Sequence, residues 1–285
     1  MGRRRLPLVV AALLVAWAAA ACAQGDPKRG EYIARAAGCA GCHTDSAPGS
    51  APYAGGRAID TPFGTFYGPN ITPDRQHGIG SWTVADFRRA LHDGERRDGE
   101  NLFPVFPYTS FTRMTDADAG DLWAYLRTLA PSPRENRTHR IKWAFRWRIL
   151  ISAWKWFFFT PGRFAPDPAA SALVNRGAYI VAALGHCGEC HTPRNLLGGP
   201  KKGRALAGGK LPEGRTPNLT PTRLKRWNDR QLEEFLRTGV TPDGDAASDL
   251  MDEVVRNDTS KLTAEDLSAL VAYLRTLAPL PDEPK

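Results

Sequence analysis

Two pentapeptides of this chain could anchor a covalent cofactor: Cys39-Ala40-Gly41-Cys42-His43 and, 148 residues further on, Cys187-Gly188-Glu189-Cys190-His191. Two thiols three positions apart, near the start of a helix, reach the two vinyl groups of one porphyrin and form thioether bonds. The His that follows is then held under the iron as its proximal ligand. Alone, C-x-x-C also serves redox dithiols and zinc. A zinc ribbon would use four thiolates and leave His43 and His191 idle at identical positions. The pattern therefore predicts two covalent haem c groups, attached through Cys39, Cys42, Cys187 and Cys190, with His43 and His191 on the irons. Of the five cysteines only Cys22 is then left over, so the mature body has no disulfide framework.

The leader agrees with that chemistry, because c-type haem is attached outside the cytoplasm. Residues 1–23 read as a secretory signal. Arg3-Arg4-Arg5 is the charged region, Leu6 to Ala18 is apolar apart from Pro7, and Ala21-Cys22-Ala23 is a small-x-small cleavage site. The apolar run is short and Ala-rich for a membrane span. The expected location is the periplasm, with lipidation at Cys22 as an alternative to simple cleavage. The formal charge is +8, and Arg3, Arg4 and Arg5 contribute three of those charges. Haem propionates bring the mature chain nearer neutrality, so the charge gives no reason to expect a nucleic-acid partner.

The elements that must position the two motifs occur twice. Arg29-Gly30-Glu31-Tyr32-Ile33 matches Arg176-Gly177-Ala178-Tyr179-Ile180, and Asn70-Ile71-Thr72-Pro73 matches Asn218-Leu219-Thr220-Pro221. Ser81-Trp82 to Gly94 resembles Arg226-Trp227 to Gly239. Leu122 to Ala130 matches Leu270 to Ala278. The offset stays between 145 and 148, which marks a tandem duplication. A mature chain of about 262 residues suits two domains. The boundaries read as 24–131 for the first domain, 132–170 for a linker and 171–285 for the second. Each repeat is mostly helical. Gly30 to His43 is expected to be one helix running into the first motif. Thr83 to Leu91 is a second, and Thr115 to Leu129 a third, with Thr115 as N-cap, Asp116 and Asp118 at the positive end of the dipole and Pro131 as the stop. Thr263-Ala-Glu-Asp266 opens the corresponding last helix. Gly30 and Gly177 lack side chains where Tyr125 and Tyr273 of the last helices would cross closely.

With these residues in view, each half resembles a class I cytochrome c domain. The mature chain resembles the cytochrome c subunits of periplasmic alcohol, aldehyde and related dehydrogenases. The phrases that carry the likeness are Phe63-Gly-Thr-Phe-Tyr-Gly-Pro-Asn-Ile-Thr-Pro73, Gly78-Ile-Gly-Ser-Trp82, Phe106-Pro-Tyr108, Gly185-His-Cys-Gly-Glu-Cys-His-Thr-Pro-Arg194 and Ala-Tyr-Leu-Arg-Thr-Leu near the end. Subunits of that family often carry three haems, whereas this chain has two motifs. The resemblance implies a mainly α fold of two tandem domains, each wrapped around one haem. It also implies a distal Met just before or at the start of the last helix. Outside the leader there are two methionines, Met114 and Met251, one per domain. Met251 is expected in a Gly/Asp-rich loop. Met114 aligns with Leu262 rather than with Met251, and His77 or His92 would be its substitutes. A soft thioether opposite His favours Fe(II), and two filled axial positions leave no place for peroxide or oxygen. Candidate propionate contacts are Asn70, Trp82, Arg194, Asn218 and Trp227. His186 reads as structural and His139 as solvated.

The linker interleaves Arg134, Arg137, Arg140, Lys142, Arg146, Arg148 and Lys155 with Trp143, Trp147, Trp154, Trp156 and Phe157-Phe158-Phe159. Its charges argue against a membrane span. The preferred reading is a segment that packs across both domains and fixes their orientation. The second is a docking surface for a dehydrogenase or for the membrane surface. The function expected is dihaem electron transfer without bond chemistry. The donor would be a periplasmic dehydrogenase of flavin, quinone or molybdenum type, and the acceptor a membrane oxidase or another cytochrome. The alternative is a dihaem enzyme, a peroxidase or thiosulfate-oxidising cytochrome, with one displaceable distal ligand.

Overall fold

The computed structural model describes residues 25–212, 214–247 and 249–283. The leader and Cys22 lie outside the described residues. In the first repeat, α1 (Pro27–Ala36) leads to α2 (Cys39–His43), a hairpin of β1 (Ala58–Thr61) and β2 (Gly64–Tyr67), then α3 (Val84–Asp93), α4 (Tyr108–Phe111) and α5 (Asp116–Leu126). The linker supplies β3 (Arg140–Ile141) and α6 (Arg148–Phe158). The second repeat has α7 (Ala172–Tyr179) with a π-helical turn at Ile180–Leu184, α8 (Gly188–His191), β4 (Gly209–Leu211), β5 (Gly214–Thr216), α9 (Pro221–Leu224), α10 (Asp229–Thr238), α11 (Asp249–Asn257) and α12 (Ala264–Thr276). The architecture is mainly α, with two small antiparallel sheets ordered β1-β2-β3 and β4-β5.

Local sequence sets the helix starts. Asp26 caps α1 by accepting from Lys28 N at 2.9 Å, with Pro27 at the first helical position. Thr83 and Asp86 form a reciprocal capping box on α3, and Asn228 and Gln231 do the same on α10. Thr115 caps α5 and Thr263 caps α12, each accepting from the N–H of the third helical residue. Gly94 and Gly239 end α3 and α10 in the left-handed conformation.

One helical expectation is corrected. The first helix does not run from Gly30 to His43. It starts at Pro27, stops at Ala36, and turns at Gly38 with φ of 59° before α2 begins. The equivalent position in the second repeat is His186, with φ of 36°. A left-handed residue is thus required before each first cysteine, to re-aim the motif helix. The third expected helix also ends early, at Leu126.

The strongest packing in each repeat is between its first and last helices, α1 on α5 and α7 on α12. Glycine permits this. A Cβ on Gly30 would stand 1.9 Å from the Asp121 carbonyl oxygen and 2.7 Å from Tyr125 Cβ. A Cβ on Gly177 would stand 1.8 Å from the Ala269 oxygen and 2.8 Å from Tyr273 Cβ. The expected glycine–tyrosine crossings are therefore present in both halves. The buried side chains form one cluster spanning both repeats, from Ile33, Phe111 and Leu122 to Ile180, Leu184 and Leu270.

The linker does not run free. Arg140 and Ile141 pair with Thr65 and Gly64, which adds a third strand to the first sheet. His139 is not solvated: it accepts from Tyr67 N at 3.1 Å and packs on Phe66 and Phe103. On the far side, Trp154 Nε1 donates to Leu197 O at 2.9 Å, and the Phe158 ring lies where a Cβ of Gly199 would be. The segment therefore touches both repeats. Trp143, Trp147 and Trp156 take no part in this, being 79%, 66% and 80% exposed.

Candidate haem attachment sites

Each motif helix is held by the loop that follows its domain's hairpin. His43 Nδ1 lies 2.7 Å from Pro69 O, and His191 Nδ1 lies 2.8 Å from Pro217 O. A carbonyl only accepts, so Nδ1 carries the proton and Nε2 keeps its lone pair for a metal. Burial lowers the pKa of both rings, which keeps them neutral. The approach needs glycine. A Cβ on Gly68 would stand 1.7 Å from Cys42 O, and one on Gly209 would stand 2.4 Å from Cys190 O. Thr216 Oγ1 also donates to Cys190 O at 2.7 Å.

The thiols suit thioethers rather than zinc. Burial pushes Cys39 and Cys187 up to about 12, which disfavours the thiolates that zinc would need. Among the described residues no group of three or more His, Cys, Asp or Glu is placed to hold a metal ion. Neutral sulfurs beside a neutral imidazole with a free Nε2 fit the chemistry of covalent haem. When bound, the haem iron supplies the one-electron redox change.

Each motif is also gripped by the opposite repeat. Glu189, between the two cysteines of the second motif, accepts from Thr109 Oγ1 at 2.6 Å and Ser110 Oγ at 2.8 Å, and pairs with Arg194. Burial pushes its carboxyl up, but Arg194 and the two hydroxyls outweigh this and hold it below the usual range. His186 meets Phe111 edge to face at 5.5 Å. In the other direction, Glu253 on α11 makes a two-point pair with Arg57 at 3.0 and 2.8 Å, and its Oε1 lies 3.6 Å from the Cβ position of Gly41. Asp258 Oδ2 stands 2.7 Å from the Cβ position of Gly38, so the carboxylate of the second repeat packs directly on this turn. Burial, first of all, pushes the Cys42 thiol up to about 11, and Cys190 of the other motif adds to this.

A reciprocal clasp completes this interface. Tyr32 of α1 donates to Asp266 Oδ2 on α12 at 2.5 Å, and its oxygen accepts from Thr263 N at 3.3 Å. Tyr179 of α7 donates to Asp118 on α5 and accepts from Thr115 N at 3.1 Å. Each carboxylate also binds an arginine of its own repeat. Arg29 pairs with Asp118, and Arg176 reaches Asp266 at 2.7 and 2.6 Å. The two repeats thus exchange equivalent bonds about a pseudo-two-fold axis. Burial, then the Asp266 carboxylate, pushes Tyr32 up to about 12, so it stays a donor. Replacing Tyr32 and Tyr179 together by Phe leaves two N-cap amides and two carboxylates each one partner short. The expected loss is about 1–2 kcal/mol per tyrosine, read by chemical denaturation, with both haem spectra retained. Unchanged stability would show that the clasp is incidental.

Several expected site residues have other work. Asn70 Nδ2 donates to Ser132 O and Arg134 O at 2.9 and 3.0 Å, while Oδ1 accepts from Thr72 N and Oγ1. Asn218 Nδ2 donates to Leu280 O and Asp282 Oδ1, and its oxygen accepts from Thr220 N. Both side chains pin the loop after each hairpin to the chain leaving the last helix, so their donors are spent within the protein. The Arg194 guanidinium is likewise occupied, by Glu189 and by Gly198 O at 2.8 Å. Trp82 and Trp227 are half-buried, Trp82 against the core and Trp227 against Phe235 at 5.2 Å.

Met114 is fully buried, directly before the cap of α5. Met251 is half-buried on the first turn of α11, a helix where a loop was expected. Leu250, Met251, Val254 and Val255 repeat at helical spacing, a signal that was present in the sequence. His77 sits in a turn, with its N–H donated to Asp74 at 2.7 Å. His92 is buried on α3, 3.6 Å from Asp116, and its Nε2 has no partner. Burial and then Arg163 lower its pKa to about 4, so it is neutral. Sequence reasoning missed the Pro69 and Pro217 carbonyls, the Tyr32–Tyr179 exchange and Glu189. The repeated Arg-Gly-x-Tyr and Pro-Asn phrases carried the first two. Nothing local marks Glu189.

A cytochrome c family model matches the chain twice, over residues 27–130 and 174–278, and the chain belongs to the cytochrome c family. Within it, this is a dihaem protein with two covalently bound haem c groups, and it transfers electrons rather than catalysing a reaction. It is 46% identical over 261 residues to a diheme cytochrome c-type protein of Cereibacter sphaeroides, covering 88% of this chain and 86% of that one. It is 42% identical to a nicotinate dehydrogenase subunit of Pseudomonas putida, over 88% of this chain and 21% of that one. It is 40% identical to the fructose dehydrogenase cytochrome subunit of Gluconobacter japonicus, over 87% of this chain and 52% of that one. The chain thus spans most of the first relative and about half or less of the other two.

Proposed function

We propose that this protein is a periplasmic electron carrier. It accepts electrons from a dehydrogenase of flavin, quinone or molybdenum type and passes them singly to a membrane oxidase or another cytochrome. The observation that carries this reading is the placement of the anchors. The two motif helices lie at one interface, Glu189 of the second held by Thr109 and Ser110 and Gly41 of the first facing Glu253. Such an arrangement would bring two cofactors together across one packed interface, which suits transfer between them. The names of the relatives point to a dehydrogenase as donor. The arginine-led leader supports export, and the acceptor's place in the membrane makes association with the membrane surface part of the same reading.

In this reading residues 24–131 and 171–285 each enclose one haem, joined by 132–170. His43 and His191 bind the irons through Nε2. Met114 and Met251 would be further ligands to the irons, and Trp82 and Trp227 would offer indole donors to propionates. Filling both distal positions closes the irons to small ligands and separates a carrier from an enzyme. The reduced protein is therefore expected to bind carbon monoxide slowly or not at all. Met251→Ala is expected to open the C-terminal haem to carbon monoxide and lower its potential, leaving the other unchanged. Absorption spectra with and without the gas, followed by redox titration, check both. Rapid binding to the wild-type protein would favour the redox-enzyme reading, and an unaltered variant would make Met251 a packing residue.

A further inference from the structure

The linker helix α6 is apolar on its outward face as well as on its inward one. Its polar residues Arg148 and Lys155 face the protein: Arg148 donates to Asn101 O at 2.7 Å, and Lys155 to Asp93 O and Asn101 Oδ1 at 2.6 Å each. Ile151 is buried beside them. The opposite stripe, at positions 149, 150, 153, 156 and 157, is apolar throughout and faces outward. Ile149 is 71% exposed, Trp156 80% and Phe157 61%. The approach to the helix adds two more outward indoles, Trp143 and Trp147. A solvent-facing stripe normally carries the charges and the core-facing stripe the apolar residues. Here the inward face combines Arg148 and Lys155 with Ile151, Trp154 and Phe158, and the outward stripe carries no charge at all, so water is not the medium this face is built for.

The surrounding charge indicates that medium. Residues 134–163 contain eight Lys or Arg and a single acidic residue, Glu135. Several of these cations are engaged by the protein itself. Arg140 and Arg146, by contrast, are exposed, in the stretch that leads into α6, and Arg146 uses Nε internally, on Ile141 O at 2.9 Å. Arg146 and Arg148, with Thr138, His139, Ile141 and Phe103, line a cavity of about 380 Å³ next to Trp147. Indoles beside arginines, with an aliphatic stripe between them, match the boundary between headgroups and acyl chains. Among the described residues no helix is long and apolar enough to cross a membrane, so the contact would be with its surface.

We infer that α6, with Trp143 and Trp147, is a monotopic membrane-binding element that rests on an anionic phospholipid surface, Arg140 and Arg146 meeting the phosphates. This rests on the exported, membrane-linked reading above and names the element and the lipid class. Helix α6 would lie in the plane of the interface, Trp156 and Phe157 at acyl depth. The chain that joins the two repeats would then also set their height above the bilayer.

The test uses the mature protein with both haems. It is sedimented with vesicles of phosphatidylcholine alone or mixed with phosphatidylglycerol, while Trp emission is quenched by brominated acyl chains. Binding to the mixed vesicles is expected to exceed binding to the neutral ones at least tenfold and to weaken with salt. Trp143→Ser, Trp147→Ser and Trp156→Ser together should reduce it at least tenfold and abolish quenching, with both haem spectra and the melting curve retained. Arg140→Gln with Arg146→Gln should remove most of the preference for anionic lipid. The inference is overturned by failure to bind vesicles, or by binding and quenching that survive the triple change. It is equally overturned if the triple change abolishes only self-association or only reduction by a dehydrogenase, since the occupant is then a protein. Normal reduction and reoxidation of a protein that ignores vesicles would refute this element and leave the electron-carrier reading standing.

Discussion

Changing Cys187 and Cys190 together to Ala is expected to give a chain with one covalent haem in place of two. The second motif has no spare thiol: Cys22 belongs to the N-terminal stretch read as a leader, and the other two cysteines belong to the first motif. Denaturing mass spectrometry should show the loss of one haem mass, and the haem absorbance should fall to about half. The N-terminal haem should keep its spectrum, because His43 is oriented by Pro69 of its own repeat. The C-terminal repeat should lose most of its cooperativity. Its first and last helices would still meet at Gly177, but the second motif would lose its covalent anchor. Glu189 would still bind Thr109 and Ser110, so the variant should remain one body at low temperature. Two retained haems, or none, would contradict this assignment of the anchors.

The second large effect is expected from one methyl group. Gly177→Ala places a Cβ 1.8 Å from the Ala269 carbonyl oxygen, and backbone on both sides leaves nothing that can rotate away. The crossing of α7 and α12 must open. A cost of about 3 kcal/mol is reasonable for such overpacking, equivalent to a fall in Tm of roughly 6–12 °C for a domain of this size. Gly30→Ala should behave alike against Asp121 O at 1.9 Å. Gly120→Ala is the control. Its nearest neighbour is the end of the flexible Arg88 side chain at 3.2 Å, and Ala favours a helix interior, so stability should hold or rise slightly. Thermal melts of the three holo-proteins decide it. Equal behaviour of Gly177→Ala and Gly120→Ala would mean that the close crossing is not maintained in solution.

Cysteine, histidine and glycine carried most of what could be read from the chain alone. Cys39, Cys42 and His43, repeated as Cys187, Cys190 and His191, specify their chemistry by type and spacing, because a thioether pair and a following imidazole need only a single turn of helix. Thr115 and Thr263 marked helix starts for the same reason: a cap bonds three residues away. Gly30 and Gly177 could be read as crossings because the repeat printed them twice beside a matching Tyr. What depended on distant contacts could not be read in this way. Asn70, Asn218 and Arg194 could be picked out by type as polar groups near the motifs, but not their bonds to Ser132, Leu280 and Glu189. A side-chain amide or guanidinium says nothing about which carbonyl or carboxylate will reach it first. The break at Gly38 arises from the need to turn the motif helix, and the Asp258 carboxylate, 220 residues away, packs on that turn. Tyr32 and Tyr179 read as parts of a repeat, and only the packing of one repeat on the other shows that each serves its neighbour's helix. The sequence thus determined the cofactors and the repeated helices, which rest on local spacing. The tertiary structure alone decided that the two motifs share one interface and that α6 turns its apolar face outward, because both depend on how surfaces far apart in the chain meet.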